Sequence, residues 1–183
     1  SETISSTISN EMKSDTILSV AVAIICMLIY IRIRFSDIRF GISSIAALLH
    51  DVLIVLAFYA AVRISVSNTF VACMLTIVGY SINATIVIFD RIRENMGTMT
   101  HKDDLKETIN KSITNTMSRS IFTSLTTFIM VAVLYILGVT SIRDFALPLM
   151  VGIVCGTYSS ICLAGALWYV LRVKFPPKTE AQK

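Results

Sequence analysis

Apolar residues fall into five runs along this chain, separated by short polar or basic stretches: Thr16–Ile31, Phe40–Val62, Phe70–Phe89, Ser120–Val139 and Phe145–Leu171. Each is long enough, or nearly so, for a helix crossing about 30 Å of hydrocarbon. None shows the period-two alternation of a half-buried strand. The pattern predicts an all-α integral membrane protein, a bundle of five transmembrane helices at about 16–31, 40–62, 70–89, 120–139 and 145–171. Residues 1–15 form a polar stub ahead of it, and 172–183 a basic tail. The first run is short, but Lys13 and Arg32 flank it and can snorkel to the interface. Between the third and fourth runs Gly97 breaks the helix, and Thr100 followed by Asp103 resembles a capping box. Leu105, Ile109, Ile113 and Met117 then recur every four residues, which predicts an amphipathic helix over 97–118 lying on the membrane surface and turning inward at Arg119.

Composition supports this reading. Hydrophobic residues make up 55% of the 183 and charged residues only 15%. A soluble domain carries about 25% charged residues. Of the 16 Lys and Arg, only Lys13, Arg63 and Arg143 fall at one set of helix ends. The rest follow the first and third runs or lie in the tail, so the amino end is expected outside and the carboxyl end in the cytoplasm. The net charge of +4 is then mostly topology. The basic residues lack interleaved aromatics, so no nucleic-acid partner is expected; lipid is. Cys26, Cys73, Cys155 and Cys162 each lie in an apolar run without C-x-x-C spacing and read as small packing residues. There is no nucleotide loop, metal-ligand helix or nucleophile elbow, so no enzyme, metal or cofactor is expected. Ser1 reads as an internal start.

Polar side chains inside the apolar runs carry the candidate chemistry. His50 and Asp51 lie near the middle of the second run. A charged residue at that depth costs at least about 2.5 kcal/mol, which makes it a functional candidate. Either could handle a proton, but adjacent positions on a helix point about 100° apart, so the two need not share a partner. The alternative is a hydrogen bond that fixes helix register. Thr76, Tyr80, Asn83 and Thr85 form a polar stripe in the third run, facing other helices or a water-filled cavity. Arg119 opens the fourth run with Thr123, Thr126 and Thr127 behind it, either a snorkelling anchor or the start of a polar path. Pro148, Gly152, Gly156, Ser160 and Ala164 recur every four residues in the fifth run, a stripe on which a neighbouring backbone can approach closely.

One stretch is more specific. Gly79-Tyr80-Ser81-Ile82-Asn83-Ala84-Thr85, continuing through Phe89-Asp90-Arg91-Ile92-Arg93-Glu94-Asn95, resembles the signature of the SecF family of the bacterial Sec protein-export machinery. The Arg34-Phe35 exit of the first run, Leu49-His50-Asp51-Val52, and Ser118-Arg119 leading to Thr123-Ser124-Leu125-Thr126-Thr127 agree with it in order and spacing. The resemblance implies a membrane domain similar to resistance-nodulation-division transporters in the bacterial cytoplasmic membrane. It implies SecD, the SecYEG channel and a translocating preprotein as partners, and a proton (in some relatives sodium) gradient as the energy source. The family's first helix and large external domain are absent. One departure matters: the family's Asp after Ser-Ile-Asn is Ala84 here, which can neither bind a proton nor pair with Arg119. The expectation is therefore that SecD supplies the essential carboxylate and that His50, Asp51, Asn83, Arg119 and Thr123 serve the ion path. The alternatives are a scaffold subunit without ion coupling and, further off, a small-molecule exporter.

Overall fold

Long apolar helices need their backbone bonds satisfied internally, and this chain achieves that with very few breaks. The computed structural model describes residues 37–64, 68–99 and 104–175, with scattered positions between 14 and 33. Part of the first run lies outside the described residues, as do nearly all of the stub and the tail beyond 175; the described positions between 14 and 33 are helical. The structure is all-helical, with no strand among the described residues.

Helix α1 spans Ile38–Val62. The Asp37 side chain caps it by accepting from the Arg39 N–H at 3.0 Å. Arg63 ends it in the left-handed region, at φ 58°, giving its N–H to the Tyr59 carbonyl. Helix α2 spans Asn68–Gly97 and continues well past residue 89, because Asp90–Asn95 are tolerated in a helix and Arg91 pairs with Glu94 one turn on, at 2.7 Å. Helix α3 spans Leu105–Leu137 without interruption. The last span comprises α4, Thr140–Tyr158, a π-helical turn Ser159–Ala164, and α5, Gly165–Lys174. Among the described residues, four stretches are long and apolar enough to cross a membrane: Ile38–Val62, Thr69–Gly97, Leu105–Leu137 and Ile142–Lys174.

Three expectations are corrected. The amphipathic segment 97–118 and the fourth run are one helix, with no turn at Arg119. No Gly or Pro lies between 105 and 137 to break it, and the cap is Asp104, whose side chain accepts from Lys106 N at 3.1 Å. Thr100 and Asp103 lie outside the described residues. The apolar face of that segment meets the protein rather than lipid: Ile109 is buried beside Trp168, with Leu105 and Ile113 packed against the same cluster. The connection expected at 140–144 is only Gly138–Val139, since Ile142 and Arg143 already donate to the Val139 carbonyl. Of the cysteines, Cys73 is buried, but Cys26 and Cys162 are exposed on apolar faces.

α2 and the last span form the centre, with α1 and α3 each packed on both. Two apolar clusters result. One gathers Phe40, Leu48, Phe89, Ile92 and Trp168; the other gathers Val55, Tyr59, Met74, Ile77 and Ile153. The outer faces, such as Phe122, Ile129, Met130 and Ile136 on α3, are exposed and apolar, as a lipid-facing surface requires.

Candidate functional site

Between the two apolar clusters lies a layer of buried polar side chains. Asp51 is at its centre and is fully buried. Burying a carboxylate is costly unless its oxygens are satisfied. Here two hydroxyl donors and an imidazole nitrogen surround it. Ser81 Oγ on α2 donates to Oδ2 at 2.5 Å, Ser159 Oγ in the π turn donates to the same oxygen at 2.7 Å, and His50 Nδ1 lies 3.1 Å from Oδ1. No Lys or Arg pairs with Asp51 among the described residues. His50 is partly exposed, with 31% of its side-chain surface open, and its ring lies 6.5 Å from that of Tyr158.

The layer extends along α2. Ser160 Oγ donates to the Ser81 carbonyl at 3.3 Å and shares a hydrogen bond with Thr85 Oγ1 at 3.0 Å. Toward α3, Tyr80 donates to Ser124 Oγ at 2.9 Å, and Thr157 Oγ1 lies 2.6 Å from the same atom. The polar stripe of the third run is therefore divided. Tyr80 and Thr85 point inward, whereas Thr76 and Asn83 are exposed, Thr76 turning its hydroxyl back to the Ala72 carbonyl.

Small residues make this geometry accessible. A Cβ on Gly152 would lie 2.5 Å from two Ile77 atoms, and one on Gly156 would lie 3.2 Å from Ser81 Cβ. The last span thus runs against α2 at the level of the Asp51 layer. Gly79 differs: a Cβ there would meet nothing within 4 Å.

The structure does not bring Arg119 to Asp51. Arg119 is exposed and makes no ion pair among the described residues, and Thr123, also exposed, donates back to the Arg119 carbonyl at 2.8 Å. Asn83 and Ala84 are not part of the buried layer. Tyr80–Ser124 and Asn95–Ser112 fix α2 antiparallel to α3, so Asn83 lies level with the stretch between Arg119 and Thr123. Sequence reasoning missed Ser159. Its signal was faint: one serine beside another in a small-residue stripe, with nothing to announce a π turn.

Residues 1–174 match the family described as "Protein export membrane protein SecD/SecF, C-terminal". The chain is 45% identical over 180 residues to the protein translocase subunit SecF of Sebaldella termitidis, covering 98% of this chain and 58% of that one. It is 51% identical over 156 residues to the SecF subunit of Alicyclobacillus acidocaldarius, covering 84% of this chain and 50% of that one. The chain thus spans little more than half the length of these relatives. The crystal structure of SecDF from Thermus thermophilus, described as a translocon-associated membrane protein, superposes with a TM-score of 0.86 at 42% identity, over 93% of this chain and 23% of that one. With the family match running through every described span and the architecture shared, this chain belongs to the SecD/SecF C-terminal family of protein export membrane proteins.

Proposed function

We propose that this chain is the membrane part of an accessory subunit of the Sec preprotein translocase which, with SecD, uses a proton gradient to promote protein export across the bacterial cytoplasmic membrane. The observation that carries the reading is Asp51: a fully buried acid in a membrane span, held by hydroxyls from two other segments and touched by a half-open imidazole. Such a group is expensive to keep and is suited to taking up and releasing a proton. His50 is its route to water.

The exposed polar face of α2 supports a protein neighbour. Asn83 makes no side-chain hydrogen bond among the described residues, and Gly79 leaves open space beside it. A partner helix fits such a face better than lipid does. SecD is the proposed occupant, since relatives exist in which SecD and SecF form one chain named SecDF. A SecD carboxylate would take the place that Ala84 leaves empty, beside Asn83, Arg119 and Thr123. With the first run as a fifth span, the amino end lies outside and the carboxyl end in the cytoplasm. The channel and the preprotein would be met through the rest of the assembly.

A second reading, a scaffold that holds SecD without ion coupling, is favoured by Ala84 itself. One experiment decides between them. A reporter preprotein is exported into vesicles containing the full-length protein and SecD, at constant ATP, with and without a proton gradient and then with a sodium gradient. The proposal expects a gain from the proton gradient that Asp51→Asn removes while the complex stays intact. No gain in the intact complex returns the chain to the scaffold reading.

A further inference from the structure

A π turn is a rare feature of a membrane helix, and this one sits against the only buried carboxylate among the described residues. It carries one residue more than an α-helical turn and is less favourable, so it persists where surrounding contacts hold it. Here those contacts are identifiable. Ser159 donates to Asp51 on α1, and Ser160 to the Ser81 carbonyl on α2, with Thr85 beside it. Both serines are fully buried.

The turn also sets the register of α5. Gly165 is pressed on Ile113, where a Cβ would come within 2.8 Å of Cδ1. Trp168 stacks on Phe40 with ring centres 4.7 Å apart, and the Arg172 guanidinium lies 5.5 Å from the Trp168 ring. Yet the Trp168 Nε1–H is buried and has no hydrogen-bond partner among the described residues. A buried donor left unsatisfied is unusual, and a shift of α5 would break no hydrogen bond at Trp168 Nε1.

We propose that the π turn Ser159–Ala164 is the element that converts protonation of Asp51 into movement of α5. The inference rests on the proton-coupling reading. A proton taken from water by His50 passes from imidazolium Nδ1 to Asp51 Oδ1, leaving a neutral imidazole and a neutral acid. Oδ2 then becomes a carbonyl oxygen, and the two bonds it accepts lose their charge assistance, which roughly doubles the strength of such a bond. Ser159 is the donor that lets go, because it has an alternative: its hydroxyl already lies 3.2 Å from the Gly156 carbonyl. Released on that side, the turn relaxes to i→i+4 bonding. The other ionisable side chains nearby are His50 on α1 and Cys155 and Tyr158 on α4. Tyr80 of α2 is committed to Ser124. None is a fixed charge that would hold Asp51 in one state.

Absorbing one residue turns everything after it by about 100° and shifts it about 1.5 Å, so a side-chain end about 5–6 Å from the axis moves roughly 8 Å sideways. Spin labels on unnatural side chains at Asn110 of α3 and Val173 of α5, both exposed, read this directly and leave the native cysteines in place. The sample is the full-length protein with SecD in lipid nanodiscs, measured at about pH 8 and about pH 5. The expected result is an interlabel distance that shifts by several Å with pH. Asp51→Asn should fix the low-pH distance at both values, and Ser159→Ala should abolish the shift. Deleting exposed Cys162 removes the extra residue without removing buried packing; it should likewise leave a pH-independent distance, so the test survives if Ser159→Ala fails to fold. A distance that does not move, or that still moves in folded Ser159→Ala or in the deletion variant, overturns the inference. If export remains gradient-dependent while the distance is static, the turn falls and the coupling reading stands. If the distance moves while export ignores the gradient, the turn stands and the coupling reading falls.

Discussion

Replacing Gly152 by alanine tests how closely the last span is pressed on α2. The new Cβ would lie 2.5 Å from Cγ1 and Cδ1 of Ile77 and 3.1 Å from Cγ2. Ordinary carbon contacts are about 3.5–4.0 Å, so the atoms must separate by about 1 Å. Ile77 is 1% exposed, and a β-branched side chain in a helix is held near one χ1 value, so it cannot swing clear. The helices must part instead. Overpacking of this kind costs about 1–3 kcal/mol, and exchanging glycine for alanine in a helix returns up to about 1 kcal/mol. The net expectation is a loss of about 1–2 kcal/mol, measured as the unfolding equilibrium of the full-length protein in mixed micelles of rising SDS fraction. Ile77→Ala removes all three clashing atoms, so its own cost should fall by about 1 kcal/mol or more when Gly152→Ala is already present. Additivity of the two changes within about 0.5 kcal/mol, or an undiminished stability of Gly152→Ala, would refute the reasoning.

Other outcomes rest on the same geometry. Gly156→Ala meets Ser81 Cβ at 3.2 Å, a mild contact for stability, but Ser81 holds Asp51; export should lose gradient dependence by more than the melting temperature falls. Gly79→Ala meets nothing within 4 Å, so the isolated protein should gain up to about 1 kcal/mol of stability, while retention of SecD on copurification should weaken. Tyr80→Phe removes the hydrogen bond to Ser124 and should cost about 1 kcal/mol in the micelle assay, with Ser124→Ala additive to it by no more than about 0.5 kcal/mol. Asp37→Ala removes the α1 cap and the charge 3.9 Å from Arg172; a loss of about 1 kcal/mol is expected, largely insensitive to salt because the cap dominates. A loss that vanishes in high salt would show the ion pairs with Arg39 and Arg172 to be the larger part.

The spans were legible because lipid demands long apolar runs, and Asp51 because an acid has no business in one. The joins between elements were harder. Polar residues at 106–119 read as a surface segment, since hydropathy registers what a residue is and not what it packs against; Ile109 and Ile113 find Trp168 and Gly165 from 50 or more positions away. Asn83 and Tyr80 looked alike on one stripe, and only neighbouring helices separate the exposed one from the bonded one. The π turn leaves no compositional trace, because Ser159-Ser160 suits an α-helix equally well. Its cause is the partner set on α1 and α2, which lies far off in sequence.

The unbroken α3 has a mechanical consequence. Its 33 residues make a rod about 50 Å long, some 20 Å more than the hydrocarbon needs, and the surplus is at the polar Leu105 end. A rod held along α2 and α4, with Leu105 and Ile109 near its tip docked on the cluster around Trp168, is a lever that carries that cluster with it. Tilting it by about 10° about the membrane centre sweeps that tip by roughly 6 Å, with the lipid-facing turns moving far less. A displacement too small to disturb the seal around the bundle would thus reach beyond the headgroups as a stroke large enough for another protein to feel.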